Sequence, residues 1–334
     1  MIRTGVVLFT RDLRAHDHPA LAAARDACQR VVPLFVLDER LLAVCPRRTA
    51  LLHARLEQLR QAIGLVVTAG DPLEEVARFQ PDAVYLSRDV SAYAQRRERR
   101  LRTRFAVQAG PGITVLPPGE LAPSGRDRYR VFTPYWRAWR VRPLPAPVAS
   151  GPRLPEPRAP LSALLHLGIA SPAEVARGAD EALRRKLCWR DFFAQLLAAE
   201  PQLEWRDLYP GRRRWRDDPE AAAAWREGRT GVPFVDAAMR QLQAEGYLPN
   251  RQRLVAASYL TKELGLDWRV GARHFLAHLV DGDAASNSGN WQWVAGTGAN
   301  PRPNRRFDPE RQRRLHDPDG AYVRRWLPER FANR

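Results

Sequence analysis

Five short apolar runs, at residues 5–10, 31–37, 65–69, 83–87 and 113–116, alternate with helical patterns in the first third of this chain and then stop. The helical patterns cover His18–Ala27, Arg48–Ile63, Leu73–Phe79 and Tyr93–Val107. A strand buried on both faces reads as a continuous apolar run rather than an alternating one. Strands that take turns with helices close into a parallel sheet through right-handed crossovers. The expectation is an N-terminal α/β domain, a doubly wound parallel sheet of Rossmann-like form. Thr10-Arg-Asp-Leu-Arg14 follows the first run where a glycine-rich phosphate loop would stand. This argues against a dinucleotide dehydrogenase and against a P-loop enzyme.

Residues 141–160 are rich in proline, lack periodicity and read as a linker. From residue 161 the strand signals vanish, and the second half is expected to be all-α. Pro233 starts one helix, which carries Val235, Ala238, Met239 and Leu242 and ends before Gly246. Asn250 is the expected N-cap of the next, running to Gly265, and Asp267 that of a third with Trp268 in its first turn. The expected organisation is an α/β domain over 1–135, a linker over 136–160 and a helical domain over 161–334.

No apolar run approaches the roughly 18 residues of a membrane span, and Met1–Thr10 reads as a strand, not a leader. Cys28, Cys45 and Cys188 form no close pair, which fits a reducing cytoplasm. The formal charge is +17, nearly all of it from arginine, since Lys186 and Lys262 are the only lysines. Such a field favours polyanions, though an arginine-biased surface would give the same number.

One stretch concentrates chemistry. Asp281-Gly-Asp-Ala-Ala-Ser-Asn-Ser-Gly-Asn-Trp-Gln-Trp293 puts two acids, Asn287 and two indoles within thirteen residues. It follows the helical run Ala272–Val280 and is expected to begin at a helix end, where a loop can turn side chains towards a ligand. This stretch resembles the flavin-binding core of the DNA photolyase/cryptochrome family. Glu227–Met239, Asn250-Arg-Gln-Arg253 and Phe9-Thr-Arg-Asp-Leu-Arg-Ala-His-Asp17 resemble the same family in the same order, as do Arg305–Pro309 and Tyr322–Pro328. The resemblance covers roughly residues 1–140 and 161–328.

The resemblance implies an α/β antenna-type domain followed by an all-α FAD-binding domain. It implies light-driven repair of cyclobutane pyrimidine dimers in DNA by a monomer, through an electron from reduced FAD. Residues matching the cofactor site are Ser162, Arg190, Asn250, Arg253, Asp281, Asp283 and Asn287. Arg253 would pair with Asp281 beside the flavin ring and tune its electronics. Asn287 would face flavin N5, and Asn250 would touch flavin or cap its helix. Trp291, Trp268 and Trp215 match the family's electron-transfer chain, proximal, middle and terminal, with Trp215 set among Arg212, Arg213, Arg214 and Arg216. A lone buried tryptophan is ordinarily core; three at matching positions point to transfer. Trp189 and Trp293 match the pair that lines the lesion pocket, where a base turned out of the duplex can stack. Arg251, Arg302, Arg305 and Arg306 are candidates for DNA phosphates. An antenna chromophore of deazaflavin or folate type is implied for the first domain, with Arg11 and Arg88-Asp89 as candidate contacts.

Three departures from the family pattern bear on function. The linker is short and lacks an early helical region. Arg158-Ala159 replaces a Thr-Ser pair, leaving Ser162 as the hydroxyl of the phosphate loop. Lys186 replaces a Glu beside the lesion pocket, which turns a hydrogen-bond acceptor into a cation. The helix that follows in many members is also missing after Arg334. Two further readings follow from these: a cryptochrome-like flavin photoreceptor without repair, and a flavin-free DNA-binding protein. His274 and His278 stand four apart on a helix, a spacing that can bind zinc, but no third ligand accompanies them and they read as helix packing. No Ser/His/Asp triad is evident.

Overall fold

The computed structural model describes residues 2–210 and 214–332. The chain divides into two compact units, Met1–Gln202 and Leu203–Arg334.

The first unit opens with β1 (Ile2–Phe9), α1 (Pro19–Ala27), β2 (Cys28–Leu37), α2 (Glu39–Leu42), α3 (Pro46–Ile63), β3 (Val66–Ala69), α4 (Pro72–Ala77), β4 (Ala83–Ser87), α5 (Ala92–Arg102) and β5 (Ala106–Gly110). All four strand pairings are parallel and the order is β3-β2-β1-β4-β5. The expected doubly wound sheet is therefore present. Its core on one face is Val6, Leu8, Val32, Leu34, Val84 and Leu86, the alternate residues of the three central strands. Helix starts follow their sequence signals: proline stands in the first turn of α1, α3 and α4, and Asp71 caps α4 by accepting from the Leu73 N–H.

The fifth strand differs from expectation. It lies at 106–110 and takes the last two residues of the stretch expected to be helical from Tyr93 to Val107, and α5 stops at Arg102. The apolar run 113–116 is buried but pairs with no strand. The N–H groups of Val115 and Leu116 donate to the Asp191 carboxylate at 3.1 and 3.0 Å, and the Trp139 indole adds a third bond at 2.9 Å. Burial dominates at Asp191 and pushes its pKa up to about 6.

The unit continues with α6 (Phe132–Trp139), α7 (Leu161–His166), α8 (Pro172–Gly178) and α9 (Glu181–Ala199). Residues 143–160 contain no regular element. They are nevertheless tied down. Ser150 Oγ donates to the Ala15 carbonyl and accepts from the His18 N–H, and Asp17 accepts from the Val148 N–H. Asp12 and His18 are both fully buried and meet at 3.1 Å. Burial alone would raise the Asp12 pKa, but the His18 ring and hydrogen bonds from Ser87 and the Thr10 N–H together outweigh it and hold the carboxyl at about 2.

The second unit is all-helical: α10 (Pro219–Glu227), α11 (Pro233–Glu245), α12 (Asn250–Ser258), α13 (Trp268–His278), α14 (Ala284–Ala295), α15 (Pro309–His316) and α16 (Ala321–Trp326). Pro233, Gly246 and Asp267 take their expected places. Gly246 adopts φ 65° at the C-cap, and Asp267 accepts from the Arg269 N–H. Asn250 is not an N-cap. Pro249 occupies that position, and Asn250 is the first helical residue. The helix does not run unbroken to Gly265 either: a single π turn spans Tyr259–Glu263.

Gly168, just after α7, has φ +65°, and a Cβ there would stand 2.1 Å from the Arg11 carbonyl oxygen. Backbone cannot yield as a flexible side chain can. Gly168→Ala should cost more than about 2 kcal/mol from left-handed strain plus overpacking. Urea unfolding followed by circular dichroism checks this; Gly64→Ala, where no atom lies within 4 Å, should lose only the backbone part.

Candidate functional site

Arg253 projects from α12. Its Nη2 donates to both oxygens of Asp281 at 3.0 and 2.8 Å, its Nε donates to the Leu248 carbonyl at 2.7 Å, and the guanidinium lies 5.5 Å from the Tyr247 ring centre. Asp281 is 4% exposed and Arg253 25%. The carboxylate is thus sunk while its cation keeps an open edge. Nη1 of Arg253 bonds no protein atom among the described residues.

The sequence suggested a loop after Asp281. The structure has a turn instead: Asp283 caps α14 at once, accepting from the Ser286 N–H at 2.7 Å. Asn287, Trp291 and Trp293 therefore project from a helix, whose rigid spacing fixes them more tightly than a loop could. Asn287 Nδ2 donates to the Ala272 carbonyl on α13 at 2.9 Å, which uses one of its two N–H donors and fixes the amide's orientation.

Among the described residues, Trp225, Trp268 and Trp291 lie in one core, and Trp215, Trp293 and Trp326 pack against it. Trp225 and Trp268 are fully buried, Trp291 nearly so, and Trp215 is half-buried at its edge. Trp225 meets Trp291 edge to face at 6.0 Å, and Phe275 meets Trp291 likewise at 5.0 Å. The Trp291 ring fits because residue 271 is glycine: a Cβ there would lie 2.1 Å from its Cη2. The N–H of Arg216 donates to the Gly265 carbonyl, and Arg216 bridges Leu266, so the segment of Trp215 runs beside the one that leads to Trp268. Arg214, Trp215, Thr261, Lys262, Gly265 and Arg306 line a cavity of about 210 Å³. Arg212 and Arg213 lie outside the described residues.

The rings of His274 and His278 lie 4.2 Å apart and tilted by 38° on α13, and His274 meets Trp225 at 5.6 Å. The Nε2 of His274 is buried with no partner among the described residues. Burial, with the His278 and Arg226 charges, pushes the His274 pKa down to about 4.

In the first unit, Trp189 stacks face to face on Phe132 at 3.6 Å and 6°. Arg190 donates to the carbonyls of Ile113 and Leu165, so its guanidinium is committed to backbone. Ser162 is exposed in the first turn of α7, and Lys186 is exposed on α9. In the second unit, Trp293 sits 6.2 Å from Phe307. Arg302, Arg305 and Arg306 are exposed on the segment after α14, and Arg251 is half-buried. Arg305 stacks on Phe307 at 4.8 Å, while Arg306 pairs with Glu263 at 3.2 Å.

Sequence reading missed Gln292, Asp207, Trp225 and Phe132. Gln292, between the two indoles of the motif, is fully buried. It accepts from the Leu208 N–H at 2.8 Å and donates to the carbonyls of Leu203 and Arg206 at 2.8 and 2.9 Å. That clamp holds the segment carrying Asp207, which accepts the Trp268 indole N–H at 2.8 Å. A polar residue between two tryptophans was the available signal for Gln292; Asp207 had none.

A family model described as the FAD binding domain of DNA photolyase matches residues 183–332, and one described as DNA photolyase matches 5–157. The deoxyribodipyrimidine photo-lyase of Streptomyces griseus is 39% identical over 406 aligned positions that cover 97% of this chain and 89% of the relative. Those positions outnumber the 334 residues here, so internal segments of the relative have no counterpart. A deoxyribodipyrimidine photo-lyase of Thermus thermophilus is 37% identical, covering 95% and 90%. Among solved structures, a bacterial class III photolyase from Agrobacterium tumefaciens matches with TM-score 0.86 at 28% identity, covering 98% of this chain and 87% of that one. A cryptochrome from Synechocystis matches with TM-score 0.86 at 26% identity, covering 98% and 89%.

An imidazole that binds its proton less readily in the folded than in the unfolded chain stabilises the fold above its ordinary pKa, and that stabilisation disappears as the pH falls through the folded value. For His274 the window runs from 6.5 down to about 4. Acidification across it should cost about 2 kcal/mol after allowance for partial exposure. His274→Phe should flatten this part of the pH dependence in urea unfolding; a parallel pair of curves would refute the assignment.

Proposed function

The chain belongs to the DNA photolyase family, and we propose that it works as a deoxyribodipyrimidine photolyase, reversing cyclobutane pyrimidine dimers in DNA under light with FAD as cofactor. The observation that carries the reading is the Arg253–Asp281 pair with the Asn287 amide: Arg253 on α12, Asp281 in the turn before α14 and Asn287 on α14. FAD, when bound, supplies the light-driven electron that opens the cyclobutane ring.

The residues of the second unit suit that cofactor. Arg253 offers a cation that Asp281 orients, with Nη1 open to an anionic ring edge. Asn287 offers an acceptor oxygen. Asp283 and Asn250 stand at the starts of α14 and α12, close by in sequence to these groups. Trp215, Trp268 and Trp291 run from half-buried to buried and form a route for an electron inward. In the first unit, Ser162 and Arg190 are the candidates for the cofactor's phosphates, with Arg190 held by two carbonyls.

Trp189 and Trp293 each offer an indole face to an extruded base, and Phe132 stiffens the first of them. Arg251, Arg302, Arg305 and Arg306 supply phosphate contacts within a chain of charge +17. Arg11 meets Asp89 at 3.3 Å beyond the carboxyl ends of β1 and β4. The strand order reverses there, the place where open α/β sheets bind ligands, and these residues are our candidates for antenna contacts. We take the protein to act as a cytoplasmic monomer; no described helix is long and apolar enough to cross a membrane.

A duplex carrying one thymine dimer, incubated with FAD-reconstituted and reduced protein, should lose the dimer in blue light and not in the dark. Bound flavin without light-dependent loss would favour the photoreceptor reading, for which Lys186 is the motivating residue. Asp281→Asn should keep the fold and weaken FAD retention roughly ten-fold or more, a loss of about 1.4 kcal/mol, measured by dialysis against flavin absorbance. Unchanged retention would remove the pair from the cofactor site.

A further inference from the structure

Trp268 joins two features, an indole N–H aimed at a carboxylate and a cation over the ring. It is fully buried, and its N–H points at a carboxylate: Nε1 donates to Asp207 Oδ1 at 2.8 Å. Its ring carries the guanidinium of Arg269, 4.8 Å from the ring centre. Arg269 cannot swing away. It bonds Asp207 at 2.9 Å, both oxygens of Asp267 at 3.0 and 3.1 Å, and the Trp205 carbonyl at 2.6 Å. Gln292 fixes the segment that carries Asp207. By contrast, Trp225 donates to the Ala256 carbonyl, a far weaker base than a carboxylate.

We propose that Asp207 is the proton acceptor for oxidised Trp268, so that the electron hole rests there as a neutral indolyl radical. This rests on the reading of Trp291, Trp268 and Trp215 as an electron route. Trp268 gives one electron to oxidised Trp291, the oxidant upstream being a light-excited flavin. The Nε1–H bond of Trp268 breaks, the proton crosses to Asp207 Oδ1, and an O–H bond forms. When an electron returns to Trp268, the proton returns with it.

Two features drive the proton across. Oxidation makes an indole N–H strongly acidic, and the group that accepts it here is a carboxylate. A fixed cation over the ring penalises a second positive charge there, and deprotonation removes that charge. Protonation of Asp207 does not strand Arg269, because Asp267 still pairs with it. The next step outward is uphill for a positive hole: Trp215 shares its cavity with Arg214, Lys262 and Arg306.

The test is flash illumination of the full chain loaded with oxidised FAD, read by transient absorption, which separates the indole radical cation from the neutral radical. The background is Trp215→Phe, so that the hole stops at Trp268. The neutral radical is expected there. Adding Asp207→Asn should give the radical cation and recombination at least about ten-fold faster, and Asp207→Glu should restore the neutral form. Asp207→Ser serves as a second removal variant should the Asn variant fail to fold. A radical cation in Trp215→Phe alone, or signals indifferent to residue 207, would overturn the proposal and leave the electron route standing. No indole radical in the wild type or any variant would overturn the route and the proposal together. A flavin-free readout accompanies it: the ultraviolet Raman N–H band of Trp268, taken as wild type minus Trp268→Phe, should report a strong hydrogen bond that Asp207→Ser abolishes. A band that does not move would count against Asp207.

Discussion

The missing side chain at residue 271 sets the geometry of the second unit. Three atoms of the Trp291 six-membered ring occupy the space within 2.6 Å of where a Cβ would stand. Helices α13 and α14 can therefore close on one another through an indole laid against bare backbone. Glycine inside a helix costs about 1 kcal/mol relative to alanine, and a large aromatic side chain buried against it offsets that cost. From this approach follow the short turn that sinks Asp281 beneath Arg253 and the reach of Asn287 to the Ala272 carbonyl. The Trp291 ring and the Asn287 bond to Ala272 thus both lie in the seam between α13 and α14.

Gln292 does for the exterior of α14 what Gly271 does for its interior. A fully buried amide left unpaired would cost roughly 1–3 kcal/mol, and three bonds to residues 203–208 satisfy it. A segment with little regular structure is thereby held on the helix that carries the indoles. One residue of the motif faces the core, its successor fixes a distant strip of chain, and the next is half-buried. The alternation makes thirteen residues serve three surfaces.

Local chemistry was legible in the sequence and distant partners were not. Pro233, Gly246 and Asp267 act through neighbours within a turn, so their roles as helix start, stop and cap could be read directly. The parallel sheet was legible because its strands are apolar runs. The run 113–116 misled because its partner is Asp191, some 75 residues on, and no local pattern announces a buried carboxylate that collects N–H groups from elsewhere. The same blindness hid Asp207 from Trp268 and Phe132 from Trp189. The acidic pair, the asparagine and the two indoles of residues 281–293 stood out because they cluster, whereas Trp215 and Trp268 came from the family resemblance; the groups that orient them are scattered, and only folding brings them together.

The single π turn at Tyr259–Glu263 has a consequence for how this chain can vary. A π turn holds one residue more than the α-helical count, so residues on either side of it are out of phase by about 100°. Before it, Arg253 faces Asp281; near its end, the Lys262 ammonium reaches the carbonyls of Ala295 and Pro303. Removing one residue would restore a regular helix and turn one of these faces away from its partner. The bulge thus acts as a register mark. Substitutions can pass through this stretch one at a time, whereas a change in its length would break the alignment of two otherwise separate sets of contacts.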